Sequence, residues 1–214
     1  AILIITFLSR FFLPLRETYL GGATQTYLKN PLLYSRANFD GNHYLSIAQN
    51  SYGYAQQAFF PLYPKLIDFF TPLFKSPVWT GLFISNISFL ASLIIFYRLV
   101  LLDHSPQVAK WILLSLLFFP TNFFFSAIYT EGLFFLLLVS SFYFARTGRW
   151  WLTGILGGLA TYTRFIGIFI FPALLLEYWQ QNPSPPLNFK KILPIFLIPV
   201  GLLLFMYYLS QTVN

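Results

Sequence analysis

Asp40, His43 and Tyr44 bring a carboxylate, an imidazole and a phenol together within five residues, and Ile47 follows one step later. The spacing i, i+3, i+4, i+7 predicts one face of a short helix, capped by Asn38 or Asp40. A carboxylate there can take a proton from a hydroxyl nucleophile if burial raises its pKa toward the working pH. The plainer reading is a helix cap in a solvated loop. His43 and Tyr44 on the same face would bind substrate or orient the acid; taken alone, His43 reads as a structural hydrogen-bonding residue.

Arg164 is the second candidate. It interrupts an apolar stretch, residues 152–178, where a cation costs about 2.5–3.5 kcal/mol on insertion scales. Its planar fork suits phosphate; snorkelling is the alternative. Glu131, with Tyr129 and Thr130 before it, falls at the end of a predicted helix. It reads as a favourable charge near a helix N-terminus, as a substrate contact, or as an ion partner of Arg164. The chain has no Cys, which excludes thiol nucleophiles, disulfides and thiolate metal sites. Two His and six carboxylates leave little for an all-protein metal cage.

These residues need elements to position them, and composition says which kind. Of 214 residues, 57% are hydrophobic and 9% charged, against about 25% charged in soluble domains. Continuous apolar runs without period-two alternation predict an all-α integral membrane protein rather than a barrel. The net charge of +7 is scattered, with no basic stripe, so nucleic acid is excluded as a partner and the cations read as topology signals.

Residues 1–15 read as the end of a first span. Residues 16–77, with Gly21-Gly22 and Pro at 31, 61, 64, 72 and 77, hold no stretch of about 20 apolar residues. They predict one large loop carrying short surface helices. Within it, residues 64–75 are amphipathic and suited to lie in the interface plane; Lys65 and Lys75 would touch headgroups. Residues 78–101 make a clean span of about 36 Å. Residues 111–126 and 128–145 predict a helical hairpin, broken at Pro120-Thr121-Asn122 and at Tyr129-Thr130-Glu131. Residues 152–178, interrupted by Gly154, Gly157, Gly158, Arg164, Gly167 and Pro172, predict two half-helices turning near Arg164. That re-entrant reading keeps the basic clusters Arg98/Lys110, Arg146/Arg149 and Lys190/Lys191 on one side. Residues 192–209 then return outward. Asp40, Glu131 and Arg164 converge on the other side. Tyr63, Trp79, Trp150, Trp151 and Trp179 read as interfacial anchors. Asn86-Ile87-Ser88 is a glycosylation sequon, without meaning inside a span.

At these residues a family pattern emerges. Asp40-Gly41-Asn42-His43-Tyr44-Leu45-Ser46-Ile47-Ala48, then Tyr52-Gly53-Tyr54, then Phe59-Phe60-Pro61-Leu62-Tyr63-Pro64, resembles the first-loop signature of the PIG-V mannosyltransferases. Pro120-Thr121 with Ser126-Ala127-Ile128-Tyr129-Thr130-Glu131-Gly132-Leu133-Phe134 resembles a second block. Leu159-Ala160-Thr161-Tyr162-Thr163-Arg164-Phe165-Ile166-Gly167 resembles a third. Three blocks in order, over residues 38 to 170, are more specific than any one. Phe39 departs from the pattern, standing where the family has Trp.

The resemblance implies a GT-C fold: a multi-spanning helical bundle, here a single domain over 1–214, with its catalytic motif in the 16–77 extracytoplasmic loop. It implies more helices beyond residue 214. It implies a glycosyltransferase moving mannose, or another hexose, from a polyprenyl- or dolichyl-phosphate sugar to a lipid-linked or glycan acceptor at the outer or lumenal face. Eukaryotic relatives add the second mannose of the GPI precursor. The reaction would invert, largely without metal or other cofactor. Asp40 would be the base, with His43, Tyr44, Tyr129, Glu131 and Arg164 binding substrate. The absence of Cys and compact loops fit a prokaryotic plasma membrane; a eukaryotic chain would reside in the endoplasmic reticulum membrane. The rival classes are a lipid or solute transporter or flippase, which also uses broken helices and an intramembrane Arg, and a non-catalytic scaffold. The transporter reading predicts an internal repeat, and the two halves contain no convincing one. The scaffold reading leaves Asp40 and Arg164 free to lie apart.

Overall fold

The computed structural model describes residues 2–12, 28, 30–183 and 189–212, and its regular elements are helical. They are α1 (Ile2–Phe12), α2 (Pro31–Tyr34), α3 (Asp40–Asn50), α4 (Leu62–Phe74), α5 (Pro77–Val100), α6 (Pro106–Phe118), α7 (Glu131–Arg146), α8 (Trp150–Thr163), α9 (Ile170–Gln181) and α10 (Phe189–Thr212). Short 3₁₀ stretches cover Pro120–Ser126 and Phe165–Phe169, and one lies within α10. Arg16, Glu17 and Gly21-Gly22 of the expected loop lie outside the described residues.

Helices α5 and α10 are long and apolar enough to cross a membrane. Ser76 caps α5 by accepting from the Trp79 N–H, and Pro77 takes a position where no N–H is required. The expected 111–126 helix is corrected. It starts earlier, at Pro106, and stops at Phe118. The chain then bends by 83° into Pro120–Ser126, because Pro120 cannot donate within a helix and Asn122 takes the freed Leu116 and Leu117 carbonyls.

The core is a stack in which α5 packs on α7, α7 on α8, and α8 on α10. Gly132, at the head of α7, makes the first contact possible: a Cβ there would sit 2.6 Å from the Ser85 carbonyl. Gly201 does the same for α8 and α10, where a Cβ would meet the Gly158 carbonyl at 2.2 Å. The glycines therefore serve close helix packing.

The chain turns back where expected. Helix α8 ends at Thr163, Arg164 is extended, and α9 runs back beside α7. Trp150 at the start of α8 meets Tyr178 near the end of α9, ring centroids 5.5 Å apart, and Gln181 donates to the Ala145 carbonyl. The same end gathers Asp103, Arg146, Glu177 and Lys191. Arg146 bridges Asp103 at 2.6 Å and Glu177 at 3.2 Å, and Lys191 donates to Asn182.

Two expected anchors are corrected. Tyr63 is fully buried, donating to the Gly81 carbonyl and paired with Ser85. Trp150 is buried against Tyr178, whereas Trp79, Trp151 and Trp179 are exposed. Helix α4 buries Tyr63, Pro64 and Ile67 and exposes Phe69, Phe70 and Leu73, as an interfacial helix would. Asn86 bridges α5 to the bent segment through the Leu82 and Ser126 carbonyls.

Candidate active site

The first loop is clamped onto the segment before α7. The Ile128 N–H donates to the Arg36 carbonyl at 2.7 Å, the Tyr129 hydroxyl donates to the Asn38 carbonyl, and Gly41 packs against the Ile128 backbone. These contacts fix where α3 begins. The cap expectation is corrected: neither Asn38 nor Asp40 caps α3. Phe39 occupies that position, with φ 53° and no side-chain cap bond. Such a backbone is uncommon for a residue with a Cβ and stores roughly 1–3 kcal/mol. It turns the chain so that Asp40 opens α3 next to Tyr129.

The predicted helix face is split. Tyr44 and Ile47 are buried, whereas Asp40 and His43 are exposed. The chain itself therefore does not supply the burial that the base reading calls for; a bound substrate would have to. His43 stacks on Phe59, centroids 4.6 Å apart, and its Nδ1 makes a long 3.5 Å contact with Gln56. Phe59 also meets the Tyr44 ring edge-on, 5.2 Å between centroids, so His43 is joined to the Glu131–Arg164 group through two ring contacts.

Glu131 and Arg164 form a hydrogen-bonded ion pair through Glu131 Oε1 and Arg164 Nη1. Glu131 thus pairs with Arg164 and also stands in the first turn of α7, where a carboxylate is favourable. Arg164 also donates to the Thr130 hydroxyl at 3.3 Å. The second carboxylate oxygen, Glu131 Oε2, is buried without a protein partner. Tyr44 reaches this group from the first loop: its hydroxyl contacts the Thr130 side chain and lies in the field of Arg164, Asp40 and Glu131. Burial pushes its pKa up to about 12, so it remains a neutral phenol at physiological pH. The Tyr129 hydroxyl, beside the Asp40 backbone, lies in the field of both carboxylates. Beneath them runs a buried polar chain, in which Ser85 pairs with Tyr63 and donates to the Tyr129 carbonyl.

Sequence reasoning missed Thr130 as the hub of this group and Ser85 as its support. Thr130 was visible only as a small polar residue inside a motif.

The group lies part-way along the helical stack. Gly132 abuts Ser85, eight residues after Pro77, hence about 12 Å below the start of α5. Helix α7 has 16 residues, so Glu131 lies about 24 Å from the Arg146 end, short of a hydrocarbon core of about 30 Å.

Asp40 lines a separate cavity of about 510 Å³, with Arg36, Phe39, Phe123, Phe124 and Tyr129 among its walls. Neither Glu131 nor Arg164 lines it. Tyr129 and Tyr44 both lie in the field of Asp40 and of Glu131. Among the described residues, no three His, Asp or Glu gather as a metal ligand set.

Fold and site define a helical membrane protein with a part-buried Arg–Glu pair and an exposed carboxylate that lines an aromatic cavity. The family profile described as Mannosyltransferase (PIG-V) matches residues 6–212, and the chain belongs to that family. It is 31% identical over 169 residues to the mouse protein GPI alpha-1,6-mannosyltransferase 2. That alignment covers 73% of this chain and 34% of the mouse protein, so the chain spans about a third of the relative's length. No solved structure matches the chain.

Proposed function

We propose that this chain carries the catalytic centre of a GT-C-type membrane glycosyltransferase. The donor is a polyprenyl-phosphate mannose, and the acceptor is a hydroxyl of a glycolipid or glycan at the outer or lumenal face. The observation that carries this reading is the meeting of three distant segments: α3 with Tyr44, the Tyr129–Glu131 segment, and Arg164 at the turn between α8 and α9. A transporter reading gives no reason to clamp the first loop onto the segment before α7. The mouse relative is named for α-1,6-mannosyl transfer to GPI, which fits a glycolipid acceptor.

In this mechanism Arg164 turns part of its fork from Glu131 to the donor phosphate. Its charge offsets the charge that develops as the anomeric C–O bond breaks and the phosphate leaves with the electron pair. The acceptor oxygen bonds to the anomeric carbon from the opposite face, inverting it, and Asp40 takes the acceptor proton. Closure of substrate over Asp40 supplies the burial that the free chain lacks. Glu131 Oε2, without a protein donor, accepts a sugar hydroxyl. Tyr44 and Tyr129 position the sugars, and His43 stands at the rim. The test is transfer of labelled mannose from polyprenyl-phosphate mannose by the purified protein. Asp40→Asn should lower turnover by about 10²–10⁴-fold; full activity in that variant would sink the base assignment.

A further inference from the structure

Lys65 lies outside this constellation but is held in a defined place. Its ammonium donates to the Tyr162 hydroxyl at 3.0 Å. It also sits over the Tyr208 ring, 4.0 Å from the centroid, and 5.5 Å from that of Tyr162. Three elements converge here: α4, the last turn of α8 and the far half of α10. Lys65 and Tyr208 line a cleft of about 260 Å³ with Gln49, Ser51, Tyr52 and Asp68, while Tyr162 holds Lys65 from outside that lining.

The donor count points to an oxyanion. An ammonium has three N–H groups, and one is engaged by Tyr162. That phenol accepts the bond, so its own O–H proton is available to donate. Two N–H groups of the ammonium are left for the cleft that Lys65 lines. Among the described residues no carboxylate forms an ion pair with Lys65; Asp68 lines the same cleft without pairing with it. The aromatic faces hold the cation by attraction worth about 0.5–1 kcal/mol at an exposed site, without neutralising it. Beyond Lys65, α4 exposes Phe69, Phe70 and Leu73, a surface for acyl or prenyl chains. A phosphate carried on a lipid satisfies both features, and Asp68 and Gln49 offer acceptors for a hydroxyl or amine on the same headgroup.

We infer that this cleft is a second lipid-phosphate site, separate from Arg164, in which Lys65, held in place by Tyr162 and Tyr208, binds a phosphate oxygen of a membrane lipid. The inference does not depend on the transfer reaction, and its test reads binding alone. The full chain in detergent is exposed to phosphatidylglycerol, to polyprenyl phosphate and to phosphatidylcholine, and bound lipid is measured by native mass spectrometry. The wild type should retain at least one anionic lipid in preference to phosphatidylcholine. Lys65→Gln should lower that retention roughly tenfold to hundredfold. Lys65→Arg should retain most of it, and Lys75→Gln, at the cap after the same helix and outside the cleft, should leave it unchanged. Loss confined to phosphatidylglycerol identifies a phospholipid headgroup; loss confined to polyprenyl phosphate identifies a carrier lipid. Tyr162→Phe, which keeps the ring and removes the hydroxyl, should weaken binding severalfold and serves if Lys65→Gln does not fold. A wild type without anionic preference, undiminished binding in both Lys65→Gln and Tyr162→Phe, or equal loss in Lys75→Gln overturns the site.

Discussion

Neutralising either partner of the Glu131–Arg164 pair separates a structural bridge from a phosphate-binding cation. Two unit charges about 4 Å apart at an effective dielectric of about 20 attract by about 4 kcal/mol. Both side chains keep some exposure, 38% for Arg164 and 26% for Glu131, so desolvation and screening reduce the net contribution to about 1–2 kcal/mol. Glu131→Gln keeps an oxygen for the guanidinium and should lower stability by that amount. Arg164→Gln should cost more, because it strands a carboxylate whose other oxygen already lacks a partner. Function should separate the two further. Losing a donor to a developing oxyanion costs about 10²–10³ in rate, so Arg164→Gln should lower kcat/KM for polyprenyl-phosphate mannose by at least that factor. Glu131→Gln leaves the cation in place and should lower kcat/KM by about tenfold or less, the worth of one hydrogen bond to a sugar hydroxyl. Thermal unfolding and transfer assays on both variants give the answer. Equal losses of activity, tracking equal losses of stability, would refute the phosphate role.

Gly201→Ala should be severely destabilising, by about 3 kcal/mol or more at the overpacked extreme, because its Cβ would press on the Gly158 carbonyl and the Tyr162 N–H; a large fall in melting temperature checks it. At the opposite end, the hydrogen bond from Arg146 holds the exposed Asp103 carboxyl below its ordinary value of 3.8. A depressed carboxyl stabilises the fold above its ordinary pKa, and that contribution is lost as pH falls through the folded value. Asp103→Asn should therefore melt with a shallower acid dependence than the wild type below pH 3.8, and an unchanged acid limb would count against the bridge.

The parts of this fold that follow from local chemistry were legible in the sequence. The 78–101 run is uniformly apolar and is preceded by Ser76-Pro77, a cap and a helix start, and it forms α5. The glycines and Arg164 marked the turn between α8 and α9 because a charge and missing side chains interrupt an apolar run. The same interruption placed Arg164 where Glu131 could meet it. Long-range pairing was not legible. Periodicity says which face is apolar, not what covers it, so Tyr63 read as an interfacial anchor although it is buried against Gly81 and Ser85. Lys65 read as a headgroup contact, while its ties to Tyr162 and Tyr208 span about a hundred residues or more. Phe39 carried no turn signal, because an aromatic residue does not announce a positive φ; the clamp between Arg36 and Ile128 imposes it.

The 83° bend after α6 bears on how ligands are counted. Pro120–Ser126 leaves the helix direction and contributes Phe123 and Phe124 to the Asp40 cavity, whose rim exposes Phe39 and Phe123. If the substrate is a lipid-linked sugar, as proposed, this aromatic rim beside the apolar α6 gives it a sideways route into the cavity, by diffusion in two dimensions. Occupancy then follows the mole fraction of the lipid in the bilayer rather than its molarity in water. Diluting the bilayer with inert lipid at constant total substrate should lower the rate, whereas changing the aqueous volume should not.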